Sequence, residues 1–225
     1  MKLSQLNVLW DMDGTIIDTV NWHFQTWHMT LQTINVNIEQ AVFNKYFGRN
    51  NRISIPHYLG YEPGEELVNY LINTKEQLFQ ERATEKTYPF PGVVDWLEYF
   101  RKEGIKQAIA SSAPMGNIEV LLDAFNLKSY FDALVSGEFI KSKPAPDIFL
   151  QAAQDIGADP QYCIVVEDSV SGLLGGKNAG MLTIGVATTN PIDHIKADVL
   201  IPNFLVDPAP IFKDILRELI QKEPS

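Results

Sequence analysis

Six short apolar runs rich in β-branched residues, each followed by a helical pattern or a turn, constrain this chain more than any other feature. They are Leu6 to Trp10, Ile105 to Ala110, Ala133 to Val135, Tyr162 to Val166, Leu182 to Val186 and Val199 to Ile201. Each has the length and composition of a buried strand. Between them apolar residues recur at helical spacing. Val94, Leu97 and Phe100 do so within Pro91 to Glu103, Ile118, Leu121, Leu122 and Phe125 within Met115 to Phe125, and a third pattern runs from Ala145 to Ile156, where Gly157 closes it. Strands that are apolar on both faces and alternate with helices belong to a parallel sheet wrapped by helices, and such sheets bind ligands beyond the carboxyl ends of their strands.

One stretch breaks the alternation. From about Thr19 to Thr87 there is no strand pattern, only helical periodicity: Val20, Phe24, Trp27, Leu31 and Ile34, then Leu67, Leu71, Thr74 and Leu78. Gly60, Pro63 and Gly64 separate helices, and Pro89, Pro91 and Gly92 form a hinge back to the strands. The expectation is an α/β core of residues 1–17 and 89–225 with a helical cap, residues 18–88, inserted after the first strand. The tail from Pro208 to Lys222 reads as an amphipathic helix.

Residues suited to chemistry collect at the ends of four of the strands. The segment LNVLWDMDGTIID ends an apolar run in Asp11 and Asp13, with Gly14 and Thr15 at the turn. Residues two apart on a strand point the same way, so the two carboxylates are expected to converge and to need a cation. Mg²⁺, a hard ion that takes oxygen ligands and keeps waters for a substrate phosphate, suits them; alone, Asp-x-Asp-Gly also describes a turn with an Asx cap. A second strand ends in Ser111 and Ser112, whose hydroxyl and backbone N–H groups can donate to an anion or simply cap a helix. In the third element, Ser142-Lys143-Pro144-Ala145-Pro146-Asp147, the prolines stiffen the approach to a helix and fix Lys143. The fourth, YCIVVEDSVSG, ends a buried strand in Glu167 and Asp168, which are costly there unless they bind a cation or cap the next helix. Together the four supply what phosphoryl transfer needs: acids for a metal, Lys143 and Ser111 for the phosphoryl oxygens, and a carboxylate to attack.

The set Asp11-Met12-Asp13-Gly14-Thr15, Ser111, Lys143-Pro144 and Glu167-Asp168 resembles the four motifs of the haloacid dehalogenase superfamily. The closest branch is that of small-molecule phosphatases and β-phosphoglucomutases with a helical cap between the first two motifs. The resemblance implies a Rossmann-like parallel-sheet core roofed by the cap, Asp11 as the nucleophile that forms an aspartyl-phosphate, and Asp13 as general acid and base. It further implies Mg²⁺ held by Asp11, the Asp13 backbone carbonyl and Asp168, with Glu167 in or beside the coordination sphere, and a phosphoryl group bound by Ser111, beside Ser112, and Lys143. The implied substrate is a small phosphorylated metabolite, a sugar phosphate by preference. Phosphatase is the chosen activity, a β-phosphoglucomutase-type hexose-phosphate mutase the alternative, and a non-catalytic phosphometabolite sensor a distant third.

In the cap, His23 within NWHFQTWH resembles a segment of sugar-phosphate members in which a histidine near the hinge touches the second aspartate, here Asp13; by periodicity it lies beside the apolar stripe. Arg52 and Lys75 roughly match cap cations that hold a second phosphate. Arg49 competes with Arg52 for that place, and Lys75 reads more readily as a solvated surface charge.

Charge sets the remaining bounds. The 18 Lys+Arg against 28 Asp+Glu give a formal charge of -10, which repels nucleic acid and anionic membranes at long range. A small phosphorylated metabolite stays admissible, because a divalent cation reverses the field inside one cleft. The single Cys163 rules out an intrachain disulfide or a cysteine-rich metal site and suits a reducing, cytoplasmic compartment. No run approaches the roughly 20 apolar residues of a membrane span. Oligomeric state has no signature here.

Overall fold

The six apolar runs form one parallel sheet in the computed structural model, which describes residues 2–222. Among the described residues the strands are β1 (Asn7–Trp10), β2 (Ile17–Asp18), β3 (Tyr88–Pro89), β4 (Lys106–Ser111), β5 (Ala133–Ser136), β6 (Cys163–Glu167), β7 (Leu182–Val186) and β8 (Val199–Ile201). The main sheet has the order β5-β4-β1-β6-β7-β8. Its winding therefore reverses at β1, whose Trp10 lies opposite Ile109 on one side and Val166 on the other. That reversal opens a crevice beyond the carboxyl ends of β1, β4 and β6.

Between β2 and β3 run four helices, α1 (Val20–Gln32), α2 (Gln40–Tyr46), α3 (Asn51–Leu59) and α4 (Glu65–Lys86), and no strand. The chain enters and leaves this segment through an antiparallel ribbon in which Ile17 faces Pro89 and Asp18 faces Tyr88. Two residues per strand carry no readable alternation, which is why the sequence shows only a hinge there. Helix α1 is buried on two sides. Trp22 joins Phe79 and Ala83 of α4, while Trp27 and Leu31 meet Phe43, Ile55 and Tyr58 in a separate apolar cluster. His23 is buried with them, a correction to its expected place beside the stripe. The buried face of α4 is Val68, Leu71, Lys75, Phe79 and Ala83 rather than Leu67, Leu71, Thr74 and Leu78. Apolar periodicity misplaces this face because a lysine occupies one of its central positions.

The remaining helices are α5 (Val93–Glu103), α6 (Met115–Ala124), α7 (Asp147–Asp155), α8 (Val170–Asn178) and α9 (Pro208–Lys222). Side chains alternate across the sheet. Val8, Trp10, Ile109, Ile164 and Val166 pack toward Trp96, Phe100, Ile118 and Phe212 of α5, α6 and α9. Leu9, Ala108, Ala110, Cys163 and Val165 pack toward Ile148, Phe149 and Ala152 of α7. No helix among the described residues is long and apolar enough to cross a membrane.

Two asparagines tie the helical segment to the sheet. Asn50 caps α3 by accepting the Arg52 N–H through Oδ1 at 2.9 Å, and its Nδ2 donates to the carbonyls of Gly137 (3.0 Å) and Glu138 (2.9 Å) in the loop after β5. Asn117 of α6 donates to Glu76 at 2.5 Å and accepts from Gln80 at 2.8 Å, both on α4.

Candidate active site

The carboxyl ends of β1 and β6 bring Asp11, Glu167 and Asp168 together, with carboxylate oxygens within 4.8 Å of one another and all three residues buried. Lys143, delivered by the loop before α7, donates to Asp11 Oδ1 at 2.6 Å and to Glu167 Oε1 at 2.9 Å. The other Glu167 oxygen accepts the Ser169 N–H at 2.6 Å, and Ser169 Oγ caps α8 through the Gly172 N–H. Thr15 Oγ1 stands 3.2 Å from Asp11 Oδ2 and 2.9 Å from Asp168 Oδ1, so its one proton serves one carboxylate at a time. Thr189 donates to the second Asp168 oxygen.

The charges in this cluster do not balance. With all three carboxyls ionised, one ammonium would leave an excess of two negative charges in a buried site. Burial, with Glu167 and Asp168 adding repulsion, raises the Asp11 carboxyl well above the ordinary range against the pull of Lys143. Burial and the Glu167 charge raise Asp168 to about 7. Burial also opposes the Lys143 ammonium, but the Asp11 and Glu167 carboxylates outweigh it and hold the proton more tightly than usual. An all-oxygen donor set with two charges to spare fits a hard divalent cation.

Two glycines make room for the acids. Gly14 has φ +90, and a Cβ there would lie 2.7 Å from Asp168 Oδ2. On Gly172 a Cβ would lie 1.6 Å from Glu167 Oε1. Alanine at position 172 gains up to ~1 kcal/mol in helix propensity. Overpacking against a carboxylate that can retreat only by leaving Lys143 costs more, about 1–3 kcal/mol. Gly172→Ala is therefore expected to lower stability in urea denaturation, and a more stable variant would contradict this close packing.

Asp13 does not join the Asp11, Glu167 and Asp168 carboxylate cluster. β1 ends at Trp10, and past it the N–H groups of Thr15, Ile16 and Ile17 all turn back on the Met12 carbonyl, so strand alternation no longer applies. The Asp13 side chain points instead to Thr19 (2.8 Å), His23 (3.2 Å) and Ser111 (3.1 Å), outside the carboxylate cluster. A carboxylate only accepts, so His23 carries a proton on Nε2. Burial works against the Asp13 charge, but the hydrogen bonds from His23 and Thr19 and the nearby Lys75 prevail and keep its pKa below the ordinary range. His23 is likewise lowered, by burial and by Lys75, and so stays neutral near pH 7 while donating to Asp13. Its ring stacks on Phe79 at 4.2 Å.

Asp13 and His23 open on a cavity whose walls include the aromatic rings of Trp27, Phe43, Tyr46 and Phe47. Lys75, Glu76, Arg49 and Ser112 also line it. Lys75 is 1% exposed, which overturns its reading as a solvated charge; its ammonium lies 4.7 Å from the Phe79 ring centre and 3.0 Å from Glu76 Oε1. Glu76, which sequence reasoning missed, accepts from Asn51 and Asn117 as well, and Lys75 and Asn117 keep its carboxyl below the ordinary range against burial. Arg52 is not brought to this cavity. It turns outward to Glu65 and Asn69, each at 2.7 Å, and Arg49 takes the place beside Asp13 and His23. Thr19, Thr189 and Asn117 were likewise missed, since single polar residues off the motif strings carry no local signal.

Comparison with known proteins agrees with this geometry. The family model described as haloacid dehalogenase-like hydrolase matches residues 8–186. Hexitol phosphatase B of Escherichia coli strain K12 is 38% identical over 189 residues, covering 80% of this chain and 83% of its own. β-Phosphoglucomutase of Bacillus subtilis is 28% identical over 204 residues, covering 86% and 88%. The crystal structure of a HAD hydrolase, family IA, variant 3, from Entamoeba histolytica superposes with a TM-score of 0.84 at 28% identity, covering 96% of this chain and 100% of that one. With most of the chain matched and acids, serine and lysine at the strand ends, the chain belongs to the haloacid dehalogenase-like hydrolases.

Proposed function

We propose that the protein is a Mg²⁺-dependent phosphatase that hydrolyses a phosphorylated carbohydrate through an aspartyl-phosphate on Asp11. The observation that carries this reading is the pairing of Asp11 with Lys143 in a buried acidic cluster while Asp13, two residues on and bonded to Ser111, faces the cavity. Asp11 Oδ attacks phosphorus, the ester P–O bond breaks, and Asp13 gives its proton to the departing sugar oxygen. Asp13 then takes a proton from the water that attacks the aspartyl-phosphate, which releases phosphate and restores Asp11. The negative charge of a bound phosphoryl group raises the Asp13 pKa for the first half, and the hydrogen bonds from Thr19 and His23 favour its anion in the second. Lys143 and Ser111 neutralise and orient phosphoryl oxygens, and Glu167 positions Lys143. Mg²⁺, held by Asp11, Glu167, Asp168 and the Asp13 backbone carbonyl, would supply the positive charge that lets one anion approach another. Residues 18–88, with their own apolar cluster and a two-strand ribbon at their base, act as the cap over residues 1–17 and 89–225, and closure excludes bulk water.

Hydrolysis is favoured over the mutase alternative by the charge of the cavity. A mutase must hold a second phosphate, yet Arg52 is turned away and Lys75 is bound to Glu76, whose carboxylate itself lines the cavity, so among the described residues Arg49 is the one lining cation left to face that phosphate, and Glu76 opposes it. At an effective dielectric near 20, like charges several ångströms apart repel by more than ~1.4 kcal/mol, or about tenfold in affinity. Glu76→Gln should accordingly raise kcat/KM for glucose 1,6-bisphosphate relative to glucose 6-phosphate by roughly tenfold, and an unchanged ratio would remove Glu76 from this role.

The test of the activity itself is turnover of p-nitrophenyl phosphate with Mg²⁺ and with excess chelator. It is followed by incubation with β-glucose 1-phosphate and a trace of the 1,6-bisphosphate, reading free phosphate and glucose 6-phosphate separately. Metal-dependent phosphate release is expected. Rapid isomerisation with little phosphate would establish the mutase, and binding without turnover the sensor.

A further inference from the structure

Next to the cavity that Asp13 faces lies a second, open one, most of whose walls the proposed reaction does not use. Asn51, Ser112 and Pro114 border both cavities, so the two lie side by side. Beyond them Arg52, Asn69 and Asn73 form one wall, and Glu138 and Phe139 from the loop after β5 form the other. Phe139 is 88% exposed, more than any other large apolar side chain among the described residues. At the cavity wall its ring face is open to a ligand.

Apart from Ile72, the opposite wall is polar, and its one cation is paired. Arg52 is paired with Glu65 and bonded to Asn69 Oδ1, which leaves the Asn69 amide N–H₂ available, and the Asn73 side chain makes no hydrogen bond to the described residues. Amides offer both donors and acceptors to hydroxyl groups, while an aromatic face takes the C–H side of a sugar ring. A second phosphate or carboxylate would find no unpaired cation here. We propose that this cavity is an outer subsite for an uncharged sugar unit joined to the phosphorylated one, so that the preferred substrates are monophosphates of disaccharides. This rests on the phosphatase reading and names the substrate class for the same site.

The test compares kcat/KM for trehalose 6-phosphate and maltose 6′-phosphate with that for glucose 6-phosphate, in the full chain with Mg²⁺ and in Phe139→Ala and Asn73→Ala. Both substituted residues are exposed, so folding is not at risk. At least one disaccharide phosphate is expected to be favoured by about tenfold, and each variant should lose most of that preference through KM rather than kcat. Absence of any preference in the unsubstituted protein, or its survival in both variants, would overturn the subsite. If glucose 6-phosphate and p-nitrophenyl phosphate are not hydrolysed either, the phosphatase reading has failed. Titration calorimetry with the two disaccharide phosphates then decides the subsite alone, with weaker binding by Phe139→Ala supporting it and equal binding refuting it.

Discussion

Asp11→Asn should abolish turnover, by at least about 10⁴-fold, while leaving the fold intact. The amide lone pair is delocalised and does not attack phosphorus, and the isosteric side chain keeps the volume of the site. Stability in chelator should hold or rise. A carboxyl whose pKa is raised by burial and by Glu167 and Asp168 is one whose charge folding disfavours near pH 7, so a neutral isostere relieves the cluster. Lys143 keeps its bond to Glu167 in the variant. The measurements are steady-state hydrolysis with Mg²⁺ and the melting temperature in chelator. Retention of more than a tenth of the activity in a deamidation-free preparation would remove Asp11 as the nucleophile.

Lys143→Met should be the most destabilising single change at the site. Methionine fills much of the same space over the Phe149 ring, but it leaves Asp11 and Glu167 buried without their shared cation. Breaking a buried ion pair by removing one partner costs about 3–5 kcal/mol. For a chain of this length that lowers the melting temperature by roughly 6–20 °C. Activity should fall with it by about 10²–10³-fold, because the charge on the phosphoryl oxygens loses its ammonium. An unchanged melting temperature in chelator would mean that the carboxylates find other partners once Lys143 is gone.

The strands of the main sheet and the residues at their ends were legible before any coordinates. A buried parallel strand must be apolar on both faces, which is why β1, β4, β5, β6, β7 and β8 stand out as short runs. A polar residue at the end of such a run has few reasons to be there, which made Asp11, Ser111 and Glu167-Asp168 visible, while Lys143, in the loop before α7, was marked by the prolines that follow it. The helical nature of residues 19–87 was legible for the same kind of reason, since a period of 3.6 cannot serve a strand.

What periodicity could not show is how long polar side chains are partnered. Lys75 occupies a core position on α4 because Glu76 neutralises it and Phe79 lies under its ammonium, a pairing no apolar count registers. Glu76 is in turn held by Asn51 on α3 and Asn117 on α6, contacts that exist only once three helices are packed. Arg49 and Arg52 look equivalent in sequence. The cap of α3 by Asn50 sets the helix phase, and that phase sends Arg52 out to Glu65 and leaves Arg49 at the cavity. Asp13 stands outside the three-carboxylate cluster because the strand stops at Trp10 and the turn that follows closes on Met12. The sequence by itself determined which residues meet at the strand ends, because burial of the sheet dictates that pattern locally. The tertiary structure alone decided which charges enter the cavity, because a charge is admitted only where a distant partner compensates its desolvation.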